Sequence, residues 1–199
     1  MLIPNVVNGS QSVPADMFGP PVVVATVSGP WSLAVIDLLA DGLKDIVVGT
    51  SNADFDDGLF YVLNRGGGAF NPAVALWRAR GPVAVASGDF DGDGLLDVLV
   101  GHVHITLFTN QGTGGGDAAV FPASGTDLAP DYFSLNDVLV HDLNKDGALD
   151  VVICNGWSDY VVMLFGNGDG TWTKVEYTSI TGIGGSAGPV CVALALSRW

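Results

Sequence analysis

The residues best suited to chemistry in this chain are the evenly spaced acids of one stretch, residues 89–97. It reads Asp-Phe-Asp-Gly-Asp-Gly-Leu-Leu-Asp, with a carboxylate at the first, third, fifth and ninth positions and a carbonyl available at the seventh. Calcium prefers such hard oxygen ligands on alternate residues around a sharp glycine turn. The predicted calcium ligands are Asp89, Asp91, Asp93, the carbonyl of Leu95, and Asp97.

The surroundings of this stretch argue against a helix-loop-helix calcium site. Such a site needs a bidentate Glu at the twelfth position, whereas Val100 stands there. The residues that follow the loop, 98–101, are apolar and resemble a buried strand. We therefore expect the loop to join two strands.

The acidic pattern returns at nearly constant spacing along the chain. A second copy begins 53 residues further on, and a weaker copy begins 52 residues earlier, with Leu39 in place of the third ligand. Repetition at a fixed period predicts a repeat architecture in which each period is one structural unit. The second copy offers Asp142, Asn144, Asp146, the Ala148 carbonyl and Asp150, and the weaker copy offers Asp37, Asp41 and Asp45, with its occupancy left open.

Each period also carries four short apolar or β-branched segments. The first strand precedes the acidic loop, the second follows it, and the third ends at an asparagine-glycine turn before the fourth. Four short antiparallel strands in about 50 residues predict a propeller blade, and hence an all-β fold of β-propeller-like blades. The predicted fourth strands lie at 73–77, 118–121 and 171–178.

The acidic loops, the asparagine-glycine turns and the strand pattern together resemble the FG-GAP or VCBS repeats of integrin-like β-propellers, over residues 20 to 197. The loops at 89–97 and 142–150 match the calcium motif of that family, and the loop at 37–45 departs from it at Leu39. The resemblance implies calcium binding, a propeller fold and a role in adhesion or other interactions at the cell surface.

Aligned on the loops, the chain divides into three full repeats with an orphan strand at each end. Three blades are too few to close a ring, and unpaired strand edges invite partners. The chain is then either part of a longer propeller, or copies complete one another by strand addition and form a filament. The predicted segments are an extended arm 1–19, an outer strand 20–28, repeats 29–80, 81–133 and 134–187, and an inner strand 188–199.

Composition narrows the possible partners and the compartment. The formal net charge is -14 with only seven basic residues, which disfavours nucleic acid, and no apolar run is long enough to predict a membrane span. Calcium loops of this kind are usually saturated outside the cell, which favours a secreted or cell-surface protein. Asn8 begins the only glycosylation sequon, and a disulfide between Cys154 and Cys191 stays an open alternative.

No constellation of residues in the chain predicts catalysis. Residues 184–188 match a nucleophile elbow but are flanked by predicted strands. His102 and His104 could share one face of a strand, but no third zinc ligand is evident, since His141 belongs to another repeat. The sequence therefore predicts a non-enzymatic, extracellular, calcium-stabilised structural module that assembles with itself into a surface filament or adhesive array. The alternatives are a lectin or adhesin propeller that binds glycans, and an accessory fragment of a larger secreted enzyme.

Overall fold

The computed structural model describes residues 23–51, 57–78, 81, 84–113, 121–129, 135–155 and 160–179, and these residues form twelve strands and no helix. The strands are β1 (Pro30–Ile36), β2 (Asp45–Thr50), β3 (Gly58–Val62), β4 (Val74–Trp77), β5 (Ala84–Gly88), β6 (Asp97–Gly101), β7 (Ile105–Phe108), β8 (Thr126–Ala129), β9 (Leu135–His141), β10 (Asp150–Asn155), β11 (Tyr160–Gly166) and β12 (Trp172–Ser179).

The twelve strands form three antiparallel sheets of four, each in sequence order. They are β1-β2-β3-β4, β5-β6-β7-β8 and β9-β10-β11-β12, here called blade 1, blade 2 and blade 3. Because each blade is one period of the sequence, the predicted all-β class and the four-stranded repeat are confirmed.

The outer strand of blade 2 lies later in the chain than the sequence predicts. The prediction placed it at 118–121, whereas β8 pairs Thr126 with Leu107. Phe121 misled the prediction because it is an apolar loop residue that packs on the core between blades 1 and 2. The chain joins the sheet only after Gly125, where a Cβ atom would lie 2.7 Å from the Leu107 carbonyl oxygen.

The predicted outer strand at 20–28 has no counterpart among the residues described there. Residues 23–27 belong to no strand, and Val23 and Val24 are exposed. A fourth strand needs a third strand to pair with, and the described residues offer none before β1. The predicted arm 1–19 and inner strand 188–199 lie outside the described residues.

Two apolar clusters form the core, one at each junction between blades. Val98 and Val100 of β6 point towards blade 1, while Leu99 between them points towards blade 3, because side chains alternate across a strand. Blade 2 is thus covered on both faces. Blade 1 contributes Ile36, Val47, Leu59 and Tyr61 to one cluster, and blade 3 contributes Val151, Ile153, Val162 and Leu164 to the other.

Candidate metal centres

Each acidic loop connects the first and second strands of its blade, as the sequence predicts. All three loops share one backbone course, because their fourth and sixth residues adopt the left-handed conformation. The sixth residue is always glycine, which tolerates that conformation without steric cost. The φ angles at the fourth position are 53° for Ala40, 77° for Gly92 and 64° for Lys145, and at the sixth 86° for Gly42, 87° for Gly94 and 95° for Gly147.

The first aspartate of each loop holds this turn from inside. Asp89 accepts hydrogen bonds from the backbone N–H groups of Gly92 (2.8 Å) and Gly94 (3.0 Å). Asp37 accepts in the same way from Asp41 and Gly42, and Asp142 accepts from Lys145 and Gly147. These hydrogen bonds hold the loop in this conformation independently of a bound ion.

The ninth aspartate of each loop is buried and ties the loop to the end of the third strand. Asp97 accepts from the N–H of Phe90 (2.9 Å) and from that of Asn110 (2.8 Å). Burial, with a smaller contribution from the nearby carboxylates of Asp91 and Asp93, raises the pKa of Asp97 to about 6, against the opposing effect of these two hydrogen bonds. Asp45 and Asp150 make the corresponding pairs of bonds, to Leu38 and Asn64 and to Leu143 and Gly166.

The loop at 89–97 brings three carboxylates together. Oxygens of Asp89, Asp91 and Asp97 all lie within 4.8 Å of one another, the one such group among the described residues. Asp93 accepts from the N–H of Leu95 (2.7 Å) and stays exposed beside them. A set of oxygens only, with clustered negative charge, fits a hard divalent cation such as calcium.

The loop at 142–150 has the same frame with an amide in the third position. Asn144 donates from Nδ2 to Asp146 (2.7 Å), while its Oδ1 accepts from the N–H of Asp146 (3.0 Å). The N–H of Ala148 donates to Asp146 (2.8 Å), and this bond and that from Asn144 lower the pKa of Asp146. An ionised, exposed carboxylate suits a calcium ligand.

The loop at 37–45 lacks a side-chain oxygen at its third position, where Leu39 stands instead. Leu39 is half-buried and packs against the core between blades 1 and 2. Asp41 accepts from the N–H of Leu43 (2.8 Å), so this loop is ordered by its own hydrogen bonds. The departure at Leu39 therefore exchanges a ligand for a core contact.

Bonds between blades reach the acidic loops, and the sequence did not predict them. Asn110, at the turn after β7, donates from Nδ2 to the carbonyl of Leu38 in the preceding blade (2.8 Å) and to that of Leu96 in its own (3.2 Å). In blade 3 the N–H of Gly170 donates to the Phe90 carbonyl (2.9 Å). The turns after β7 and β11 therefore each clamp the acidic loop of the preceding blade. The sequence signal that could have indicated these contacts is the recurrence of the turns at a constant spacing from the acidic loops.

The approach of blade 3 also explains the glycine at the fourth position of the middle loop. A Cβ atom at Gly92 would lie 2.9 Å from the carbonyl oxygen of Gly168 in the turn of blade 3. The left-handed φ angle favours glycine at position 92, and the close approach of the neighbouring blade excludes a side chain there, whereas Ala40 and Lys145 occupy the same position in the other two loops.

Among the described residues, no histidine belongs to the carboxylate cluster. His102 is buried, with Nε2 2.9 Å from the hydroxyl of Thr106, which donates to Asp127 (2.6 Å). Burial lowers the pKa of His102, His104 lowers it further and Asp127 opposes them. This matches a polar position on a blade face, and the network itself was not predicted.

Two of the tryptophans pack inside the described structure. Trp77 contacts His102 and Phe108, and Trp172 contacts Phe90. Trp31 is exposed on β1. Asn8, Trp157, residues 184–188, Cys191 and Trp199 lie outside the described residues.

Comparison with known proteins gives one family and a fold. The model of the FG-GAP-like repeat matches residues 37–100 and 142–195. No curated protein matches the chain significantly. Fourteen chains of solved structures match. They include a lectin of Agrocybe aegerita, whose structure is described as the basis of specific recognition of non-reducing terminal N-acetylglucosamine.

The likeness to this lectin has a TM-score of 0.53 at 23% sequence identity and covers 74% of the present chain. It covers 38% of the lectin, so the chain spans well under half of the length of the protein that it matches. At this identity the comparison establishes similarity of fold. In the described part of the chain, no helix is long and apolar enough to cross a membrane.

Proposed function

The chain belongs to the FG-GAP-like repeat family, and we propose from this that it is a non-enzymatic interaction module, stabilised by calcium and acting outside the cell. The observation that carries the proposal is the cluster of Asp89, Asp91 and Asp97, whose oxygens converge within 4.8 Å. The predicted ligand sets are those of the loops at 89–97 and 142–150, with the loop at 37–45 weaker or empty.

The proposed role of calcium is structural. Bound calcium would supply positive charge that offsets the repulsion among the loop carboxylates. The middle loop accepts a hydrogen bond from Gly170 of blade 3, so its shape matters for the contact between two blades. Holding this loop in one conformation therefore supports the junction as well as the hairpin.

We further propose that the module assembles with copies of itself, as the sequence suggests, into a surface filament or adhesive array. Support comes from β1, where the apolar side chains of Trp31, Leu33 and Val35 are exposed. They lie on the sheet at one end of the three-blade stack, on the face that no other described blade covers. Exposed apolar surface of this kind marks interaction sites. Calcium saturation favours the extracellular space, and the predicted arm 1–19 would supply strand addition.

Glycan binding is the second candidate function. It is favoured by the fold shared with a lectin and by the exposed ring of Trp31, which could stack on a sugar. Binding of soluble monomer on a glycan array would favour this candidate over self-assembly. An accessory role within a larger secreted enzyme would gain support if the native polypeptide continued into a fourth acidic loop.

Calorimetric titration of the chelator-treated protein tests the calcium proposal. We expect about two ions per chain, because two loops carry full ligand sets, and a rise in melting temperature of the protein with calcium. At 100 times Kd each site would add about 2.7 kcal/mol to the free energy of unfolding. An unchanged melting temperature with and without chelator would refute the structural role.

The variant Asp91→Asn locates the site. It keeps an oxygen that accepts from the N–H of Asp93 but removes the charge, so calcium affinity at one site should fall while the fold persists. Asp127→Asn is the matched control, because Asp127 is an exposed aspartate of β8 outside the three acidic loops, and the asparagine keeps an oxygen that can accept from the Thr106 hydroxyl. Equal affinities in the two variants would move the site elsewhere.

A further inference from the structure

The first strand of blade 1 exposes a face that the other two blades bury. Trp31, Leu33 and Val35 alternate along β1 and are 68%, 64% and 58% exposed. Aligned on the acidic loops, Leu33 corresponds to Val85 of blade 2 and Val138 of blade 3, and both of these pack against the core shared with the preceding blade. This face of blade 1 is therefore shaped like a junction between blades.

A hydrogen bond between blades 1 and 2 shows how the strands of such a junction are aligned. The N–H of Val85 in blade 2 donates to the hydroxyl of Ser32 in blade 1 (3.2 Å). Leu33 holds the place of Val85, since it pairs with Val48 as Val85 pairs with Val100. Asp137 of blade 3 holds the place of Ser32, and its Oδ1 accepts from the N–H of Val138 (2.9 Å).

The side-chain donor that clamps an acidic loop has an equivalent in blade 1, and the carbonyl that accepts its hydrogen bond has an equivalent in blade 3. Asn64 resembles Asn110, because each donates from Nδ2 to the eighth residue of its own loop, Lys44 (3.1 Å) or Leu96. Asn110 gives a second bond to Leu38, the second residue of the loop before it. Among the described residues no blade precedes blade 1, so Asn64 has no acidic loop of an earlier blade to bind. In blade 3 the carbonyl equivalent to that of Leu38 belongs to Leu143.

We propose that a second copy of the chain places its blade 3 on this face of blade 1, through the same face-to-face packing that joins successive blades within one chain. The N–H of Leu33 would then lie against Asp137 of the second copy, and Asn64 against the carbonyl of Leu143. This rests on the proposed self-assembly, but it replaces the pairing of strand edges by packing of blade faces and the open filament by a closed assembly.

The number of copies follows from the number of blades. A contact between unlike surfaces either closes into a ring or continues as a filament. Propellers close with about four to eight blades. The described residues of one copy supply three blades, those of two copies six and those of three copies nine, and six is the number that falls in that range. The geometry points to a closed pair with a mass of about 41 kDa, twice the 20.5 kDa of one chain.

The first test measures mass in solution by sedimentation and light scattering, with calcium present. Wild type should behave as the closed pair. Val35→Lys buries a charge in the contact and should raise the Kd of pairing roughly 100-fold or more. Val103→Lys is the matched control, since Val103 is 49% exposed outside that face, and it should pair like wild type. Both variants should keep the melting curve of a folded chain because both side chains are exposed.

The second test identifies the surface that covers blade 1. A chain with Leu33→Cys and Asp137→Cys should form a disulfide between copies, located by mass mapping of the peptides. Ser32→Cys with Val85→Cys is the positive control, because the hydrogen bond between these residues places them together within one chain. That control should form the disulfide inside a single chain.

The outcomes separate this contact from self-assembly in general. A single chain of 20.5 kDa at all concentrations would overturn both. Assembly that is insensitive to Val35→Lys would overturn the blade-face contact and leave self-assembly standing. An assembly that needs Val35 but yields no link between positions 33 and 137 would place another segment on blade 1, and open filaments would refute the closed pair.

Discussion

Asn110 makes the most specific prediction about stability, because its side chain joins two blades. Nδ2 donates to the carbonyls of Leu38 and Leu96, and Oδ1 accepts from the N–H of Gly112 (3.0 Å). The residue is buried, so water cannot readily replace these partners. Asn110→Ala removes three hydrogen bonds worth about 1 kcal/mol each, and we expect the free energy of unfolding to fall by about 3 kcal/mol.

Urea denaturation at saturating calcium measures this loss. With a slope of about 1–3 kcal/mol/M, a loss of about 3 kcal/mol lowers the midpoint by at least 1 M. The matched control is Asn167→Ala, at the corresponding turn of blade 3. Asn167 is exposed and donates from Nδ2 only to Thr171 of its own turn (2.8 Å), so its loss should cost about 1 kcal/mol or less.

Equal losses of unfolding free energy in the two variants would refute the reasoning. They would show that the side-chain hydrogen bond between blades adds no stability beyond that of a local turn. A fall in midpoint with a changed slope would mean that the unfolding transition is no longer that of the whole stack.

Three further predictions concern single positions. Lys145→Gly should raise the free energy of unfolding by up to about 1 kcal/mol, measured by thermal melting, because Lys145 has a φ of 64°. Leu39→Asp should raise the number of calcium ions per chain by one in calorimetry, whereas Leu39→Ala should not. Since burial lowers the pKa of His102 below 6.5, the folded chain resists a proton that the unfolded chain accepts. His102 therefore lowers the melting temperature as the pH falls from 7 to 5, so the change in melting temperature over this interval should be more negative for wild type than for His102→Gln.

The repeat and its acidic loops could be predicted from the sequence because both depend on local patterns. The glycines at 42, 94 and 147 recur at the sixth position of each loop and mark a left-handed turn. Apolar segments on either side of the loops predicted the paired strands. Even the weak loop could be recognised, because Asp37, Asp41 and Asp45 kept their spacing around Leu39.

Features that depend on contacts between distant segments could not be predicted in this way. Nothing local separates Asn110, which reaches across a junction, from Asn167, which stays within its turn. The outer strand of blade 2 was misplaced because Phe121 is apolar but packs from a loop. Asp127 joins Thr106 and His102 only because β8 pairs with β7.

The two junctions between blades are held by different means, and the sequence of the loops explains why. Between blades 1 and 2, Leu39 adds a core contact where a calcium ligand would stand, and a buried amide of Asn110 provides the clamp. Between blades 2 and 3, the loop keeps its full set of acids, and the clamp is the backbone N–H of Gly170. In a stack of repeats each junction contributes its own stability. Among the described residues, the first junction therefore depends on packing and hydrogen bonds. The second also depends on a loop with clustered carboxylates, whose repulsion the proposed calcium ion would offset.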